Sequence, residues 1–255
     1  MRGDGQAAVG AVLAALVAGL AWPGAAVALP ASGQHATIDM WSSTKRPGAS
    51  AALGYTGTYH AAGDPDGDPP ALRRLTIQLP RGTRIDTSVP ARCTASDDQI
   101  RFEGDSACPP ASRVGGGEVT VRQLGLVEAT YETVLYNAED DLLEVVKSGD
   151  RVVGVVHTYV RGSTLDGPVP TCMMGGEPPD GCPFDQLAIL SNRLQVDPVS
   201  IGRGAARRNY GTTPPTCPRS GRWRVRVTLR FADGSADAVT PQTPCRRPRR
   251  AARRR

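Results

Sequence analysis

From residue 223 to residue 231 the chain reads Trp-Arg-Val-Arg-Val-Thr-Leu-Arg-Phe, apolar and polar in strict alternation. Only a β-strand, whose successive side chains point to opposite faces, gathers Trp223, Val225, Val227, Leu229 and Phe231 on one side. Arg224, Arg226, Thr228 and Arg230 then share the other. Asp233-Gly234 follows at once, and both residues tolerate the positive φ of a tight hairpin turn. The same period recurs at Leu75/Ile77/Leu79, with Arg74, Thr76 and Gln78 outward, and at Val119/Val121, with Glu118, Thr120 and Arg122 outward. Residues 37–41, 53–60, 130–136 and 142–146 also read as strands. Residues 151–160 (RVVGVVHTYV) are apolar on both faces, as in a central strand covered on two sides. Strict alternation there puts His157 on the face of Val153, Val155 and Tyr159.

Breakers separate these runs: DPDGDPP at 64–70, GGG at 115–117 and GGEPPDG at 175–181. The chain carries 29 Gly and 22 Pro, which favours many short elements joined by turns over a helical bundle. Roughly nine strands at this spacing, without a sustained helical period, predict an all-β, antiparallel β-sandwich (Ig-like or jelly-roll-like) with long loops, stapled by disulfides. Two segments could be helical. In 94–100, Ser96 and Gln99 have the spacing of a capping box; 184–194 fits either period and goes to strand by context. Residues 197–222 form a long irregular stretch that would be a covering loop or a separate lobe.

The first segment reads as an export signal. Arg2 and the amino terminus precede an apolar run over 7–22, the breakers Pro23-Gly24, and the small-x-small triplet Ala26-Val27-Ala28. The run is shorter than the ~20 residues of a bilayer span, so 1–28 is expected to be a signal peptide and 29–245 a single domain. No second apolar stretch of spanning length occurs, and the mature chain should be secreted or associated with the cell envelope. All six cysteines lie beyond the cleavage site. An even count in an oxidising compartment predicts bridges, and loop closure favours neighbours in sequence: Cys93–Cys108, Cys172–Cys182 and Cys217–Cys245. Zinc spacings are absent, and His35, His60 and His157 are scattered.

Motifs that carry chemistry are missing. There is no G-x-S-x-G elbow, no phosphate-binding glycine loop, no dinucleotide fingerprint and no H-E-x-x-H. His157 reads as a core histidine satisfied by a neighbour rather than as a base. The carboxylate runs Asp97-Asp98 and Glu139-Asp140-Asp141 look like solvated turns, because adjacent residues of a strand point apart and make no acid–base pair. Asp64-Pro65-Asp66-Gly67-Asp68 has the oxygen density of a calcium loop, but Leu75 stands where a bidentate Glu is needed, so a polar turn is expected. No catalytic residue, cofactor site or metal site is assigned.

Charge concentrates at the end of the chain. Of 28 Arg and 2 Lys, seven arginines fall in the last ten residues: Arg246, Arg247, Arg249, Arg250, Arg253, Arg254 and Arg255. Setting those seven aside takes the net charge from +5 to −2. Residues 246–255 are therefore expected to be a disordered tail able to hold anionic envelope polymers by counterion release. No aromatic interleaves with it, so specific nucleic-acid binding is not expected.

The segment from Cys93 to Val119, with Cys108-Pro109, Ser112, Val114-Gly115 and Gly117, resembles a C…CP-x-x-S-x-V-G-x-G element of uncharacterised secreted proteins of actinobacterial type. The resemblance implies a secreted β-sandwich and no established activity; the bridge would pin a loop and the glycines would turn the chain into the next strand. The sequence thus reads as a secreted, non-catalytic binding or structural module. The alternative is a glycan-binding or glycan-active protein, with a hydrolase behind it, for which Trp41, beside Asp39 on its strand face, would be the sugar platform.

Overall fold

The computed structural model describes residues 34–123, 125–170 and 187–247. In chain order it begins with β1 (Ala36–Ser42), β2 (Leu53–Tyr59), β3 (Leu72–Gln78) and β4 (Arg84–Ile85), followed by the helix α1 (Asp97–Glu103). The middle of the chain is a run of long strands: β5 (Arg113–Gln123), β6 (Val127–Asn137), β7 (Asp141–Ser148), β8 (Arg151–Arg161), β9 (Thr164–Pro168) and β10 (Leu187–Val196). Four short strands come next: β11 (Ser200–Ile201), β12 (Arg208–Asn209), β13 (Gly211–Thr212) and β14 (Arg222–Arg224). The chain closes with β15 (Arg226–Phe231), β16 (Ala236–Val239) and β17 (Gln242–Pro244).

Eleven strands form one antiparallel sheet in the order β1-β2-β10-β5-β6-β7-β8-β9-β3-β15-β16. The two faces that must oppose each other across the core belong to this one continuous sheet. It curls until its first and last strands lie together. His35, just ahead of β1, donates its backbone N–H to Asp237 Oδ2 of β16 at 2.5 Å, and its ring Nδ1 lies 3.1 Å from Oδ1. That pair satisfies polar groups that a sheet edge would otherwise leave open. Among the described residues, no helix is long and apolar enough to cross a membrane.

The alternation of residues 223–231 is reproduced residue by residue. Trp223, Val225, Val227, Leu229 and Phe231 are all buried, while Arg224, Arg226 and Arg230 are exposed. Gly234 takes φ 86° in the turn to β16. Of the segment 184–194, residues 187–194 are strand, as context suggested, and 184–186 lie outside the described residues; 94–100 contains the start of α1, where Ser96 caps Gln99 and Gln99 returns the bond in a full capping box. The stretch 197–222 is a covering loop pinned by two-residue ladders: β13 pairs with β4 and β11 with β12.

Two local expectations are overturned. Glycines 115–117 do not turn the chain; they lie inside β5. A Cβ on Gly115 would stand 1.9 Å from the Gln195 carbonyl oxygen, and one on Gly117 1.8 Å from that of Arg193. The glycines let β5 and β10 approach more closely than any side chain permits, which is what glycine within a strand often marks. The second correction concerns β8. The β7–β8 register shifts between Val146 and Lys147, so strict alternation fails there. Val153 joins the core inside the sheet, while Val152 and Val155 face outward into a second apolar cluster beneath α1.

Candidate functional site

The outer cluster is organised by a strapped helix. Cys93 and Cys108 are bridged, with Cα atoms 4.9 Å apart, and enclose α1 in a short loop. Ile100, the helix's one buried residue, docks on the outer faces of β6, β7 and β8. Asp105, just past the helix, accepts from Lys147 Nζ at 2.6 Å and from the Tyr136 hydroxyl at 3.1 Å. The Lys147 ammonium chiefly holds the Asp105 carboxyl below the usual carboxylate range.

His157 of β8 sits at the foot of this helix. Its Nδ1 is 2.6 Å from Asp141 Oδ2 at the start of β7, and its Nε2 is 2.9 Å from Asp97 Oδ1 in the first turn of α1. The Asp141 hydrogen bond, followed by that to Asp97, pushes the imidazole up to about 9 against the opposing effect of burial. At neutral pH the ring is an imidazolium donating from both nitrogens. A ring in that state has no lone pair to take a proton, so it cannot serve as a general base. The expectation of a satisfied histidine holds, but the place differs: the ring is half-exposed under α1 rather than in the core. The carboxylate runs are not simply solvated turns either. One member of each, Asp97 and Asp141, converges on the same imidazole, with the Asp141 side chain 8% exposed. Their convergence is a tertiary event, 44 residues apart in the chain.

The other notable feature lies inside the curled sheet: an apolar cavity of about 130 Å³. Strands β1 to β10 all contribute to its wall, chiefly Leu, Ile and Val. Four polar side chains and one phenol also line it: Glu144, Thr158, Asn192, Gln195 and Tyr55. Register places Glu144 opposite Leu135 of β6 and Val156 of β8, on the inward face of β7 with Leu142 and Val146. Nearby, the Tyr59 hydroxyl donates to Asn192 Oδ1 at 3.2 Å, and Asn192 Nδ2 donates to the Tyr55 hydroxyl oxygen. Burial pushes both phenols well up, so they stay neutral. Burial alone also lifts the Glu144 carboxyl to about 7. No described residue donates a hydrogen bond to that carboxyl, whose open side faces the cavity.

Two of the three expected bridges are present, Cys93–Cys108 and Cys217–Cys245, the latter with Cα atoms 5.7 Å apart. Cys172 and Cys182 lie outside the described residues, as do the proposed signal segment 1–28 and Arg249, Arg250, Arg253, Arg254 and Arg255 of the tail. Arg246 and Arg247 are exposed, and the Arg246 N–H still donates to the Lys45 carbonyl at 2.8 Å. Trp41 does share the outward face of β1 with Asp39, but its indole lies flat over Gly54, where a Cβ would meet the ring at 2.5 Å. With Trp223, Val225 and Pro214 it also lines a small cavity of about 30 Å³. The Asp64 segment is a turn in which Asp64 Oδ1 accepts from the Asp66 N–H at 3.1 Å, while Asp68 pairs with Arg122. Among the described residues, no group of three His, Cys, Asp or Glu side chains converges as a metal site would require.

Compared with family models, with curated proteins and with solved structures, the chain finds no match in any of the three. Glu144 is the site residue that sequence reasoning passed over. Its signal was present: in Leu142-Leu143-Glu144-Val145-Val146 a charged residue sits in a strand apolar on both faces, so either face buries it.

Proposed function

We propose that the protein is an exported, non-catalytic binding module whose ligand is a small, largely apolar molecule held inside the curled sheet. The cavity carries this reading. Protein interiors pack as densely as organic crystals, and an unfilled apolar void costs ~24 cal/mol per Å³, or ~3 kcal/mol for a space of this size. That is a large fraction of the stability of an ordinary domain. A sheet of many strands leaves an interior that only bulky side chains fill, and this chain is poor in them: 5% of its residues are aromatic. A ligand would recover the lost contacts. Export is supported by the leader pattern at 1–28 and by two bridges of the kind that persist in oxidising compartments. In the same reading the arginine-rich terminus would hold the protein near anionic envelope polymers.

A glycan-binding or glycan-active role has less support. A sugar platform needs an open aromatic face, and Trp41 spends its face on Gly54. His157, the histidine held between two carboxylates, is occupied at both nitrogens.

The test is binding of toluene, which is close to the cavity in size; apolar cavities of about this volume take up benzene. Toluene at ten times its Kd should stabilise the protein by ~1.4 kcal/mol. Methyl resonances of Leu135, Val146 and Leu165 should shift together on titration, and Leu165→Phe, which fills the space, should abolish both effects. Unchanged stability and unmoved methyl signals at saturating toluene would overturn the proposal.

A further inference from the structure

The cavity raises a question that its volume does not answer: why one of its walls carries a carboxyl group. Glu144 is the only acid among the described lining residues, and its titratable neighbours are the phenols of Tyr55 and Tyr59. Neither is a cation. The nearest lysine in sequence, Lys147, is turned to the outer face of the sheet, where it holds Asp105. No described arginine lines the cavity. Among the described residues, Glu144 is therefore an acid in apolar surroundings with no group to neutralise it and no hydrogen-bond donor given to it. A leucine in its place would fill the wall without the cost of burying a charge, so packing does not account for the residue.

We infer that Glu144 is the recognition group for a protonated amine, and that the ligand is a small amine with an apolar body of about six or seven heavy atoms. This rests on the cavity being a binding site, and it adds the chemistry of the ligand's polar end. The apolar body would lie against Leu135, Val146, Val156 and Leu165, and the ammonium would pair with the Glu144 carboxylate. Two further acceptors line the same cavity. The Tyr55 oxygen retains a lone pair after accepting from Asn192, and Thr158 lies opposite Leu142, one inward position along from Glu144. An ammonium has three N–H donors, and this set offers partners for them. Asn192 is held by Tyr59, so Tyr55 is oriented before any ligand arrives.

The pH behaviour follows from the burial of Glu144. In the empty protein its carboxyl titrates at about 7, so binding of a protonated amine must expel a proton below that pH. Affinity should be highest between about 7 and the amine's own pKa, and should fall on both sides.

The experiment compares benzylamine, benzyl alcohol and toluene as ligands for the full chain, by calorimetric titration at pH 8 and at pH 5.5. At pH 8, benzylamine should bind at least tenfold more tightly than benzyl alcohol. That preference should shrink severalfold or more at pH 5.5. Glu144→Gln, nearly identical in shape, should erase it, with toluene binding reporting that the cavity is still formed. Because the pH series uses the unaltered protein, the inference stays testable if the variant folds poorly. A preference for benzylamine that survives in Glu144→Gln, or equal binding of amine and alcohol at pH 8, would overturn the amine assignment and leave the cavity reading intact. Failure of all three ligands to bind the unaltered protein would overturn both.

Discussion

Replacing His157 by glutamine removes the cation that ties the first turn of α1 to the β7–β8 hairpin, and its effect should depend on pH in a defined way. The imidazole sits at about 9 in the folded protein and near 6.5 when unfolded. Full conversion of that difference would correspond to ~3 kcal/mol. The ring is 35% exposed, and water screens such a pair, so ~1–2 kcal/mol is the reasonable expectation. The sign is set by the raised pKa: the folded state binds the proton more tightly. The stabilisation is therefore complete below pH ~6.5 and is lost as pH rises towards 9. Urea denaturation of the unaltered protein and of His157→Gln, run from pH 6 to pH 10, isolates this contribution. Other groups, including Glu144, titrate alike in both proteins. The variant should be less stable by ~1–2 kcal/mol at pH 6, which is a fall of several degrees in Tm for a domain of this size. The two proteins should converge by pH 10. A stability difference that is constant across the range, or that widens as pH rises, would show that the folded ring is neutral and that the double carboxylate clamp is misassigned.

The glycines of β5 and the α1 bridge give two more tests. Gly117→Ala should cost ~3 kcal/mol or more, or abolish folding, because the added carbon meets backbone rather than a movable side chain. Gly125→Ala, in open space at φ +66°, should cost only ~1 kcal/mol; similar urea midpoints for the two would disprove the close β5–β10 approach. Replacing Cys93 and Cys108 together by serine should lower stability by ~3 kcal/mol. Hydrogen exchange should then accelerate in 97–107 before it does in β5–β8. Uniform acceleration would mean that the bridge does not act by strapping α1.

Legibility followed the range of the forces involved. Alternation is a local property, and the strands it marked are the strands of the structure. Residues 223–231 have every expected side chain on its expected face, because one wet face and one buried face leave a strand no other register. The capping box at Ser96 and the turn at Gly234 were equally readable, since each is decided within a few residues. Where the reading failed, a distant partner intervened. Glycines 115–117 looked like a breaker because glycine favours turns when nothing else acts on it; the close approach of β10, nearly eighty residues later in the chain, gives them their role. His157 was assigned its face by simple counting, and one irregularity against β7 moved Val153 away from it.

The sequence by itself determined that this chain is antiparallel β, which faces of its strands are wet, and that neighbouring cysteines could close short loops. These follow from side-chain chemistry and the two-residue repeat of extended backbone. Only the tertiary structure decided that the first and last strands of the sheet meet through His35 and Asp237, that two acidic runs meet at one imidazole, and that Glu144 lines an apolar cavity. Those outcomes depend on curvature and on the sum of side-chain volumes inside it, and neither quantity belongs to any one segment of the chain.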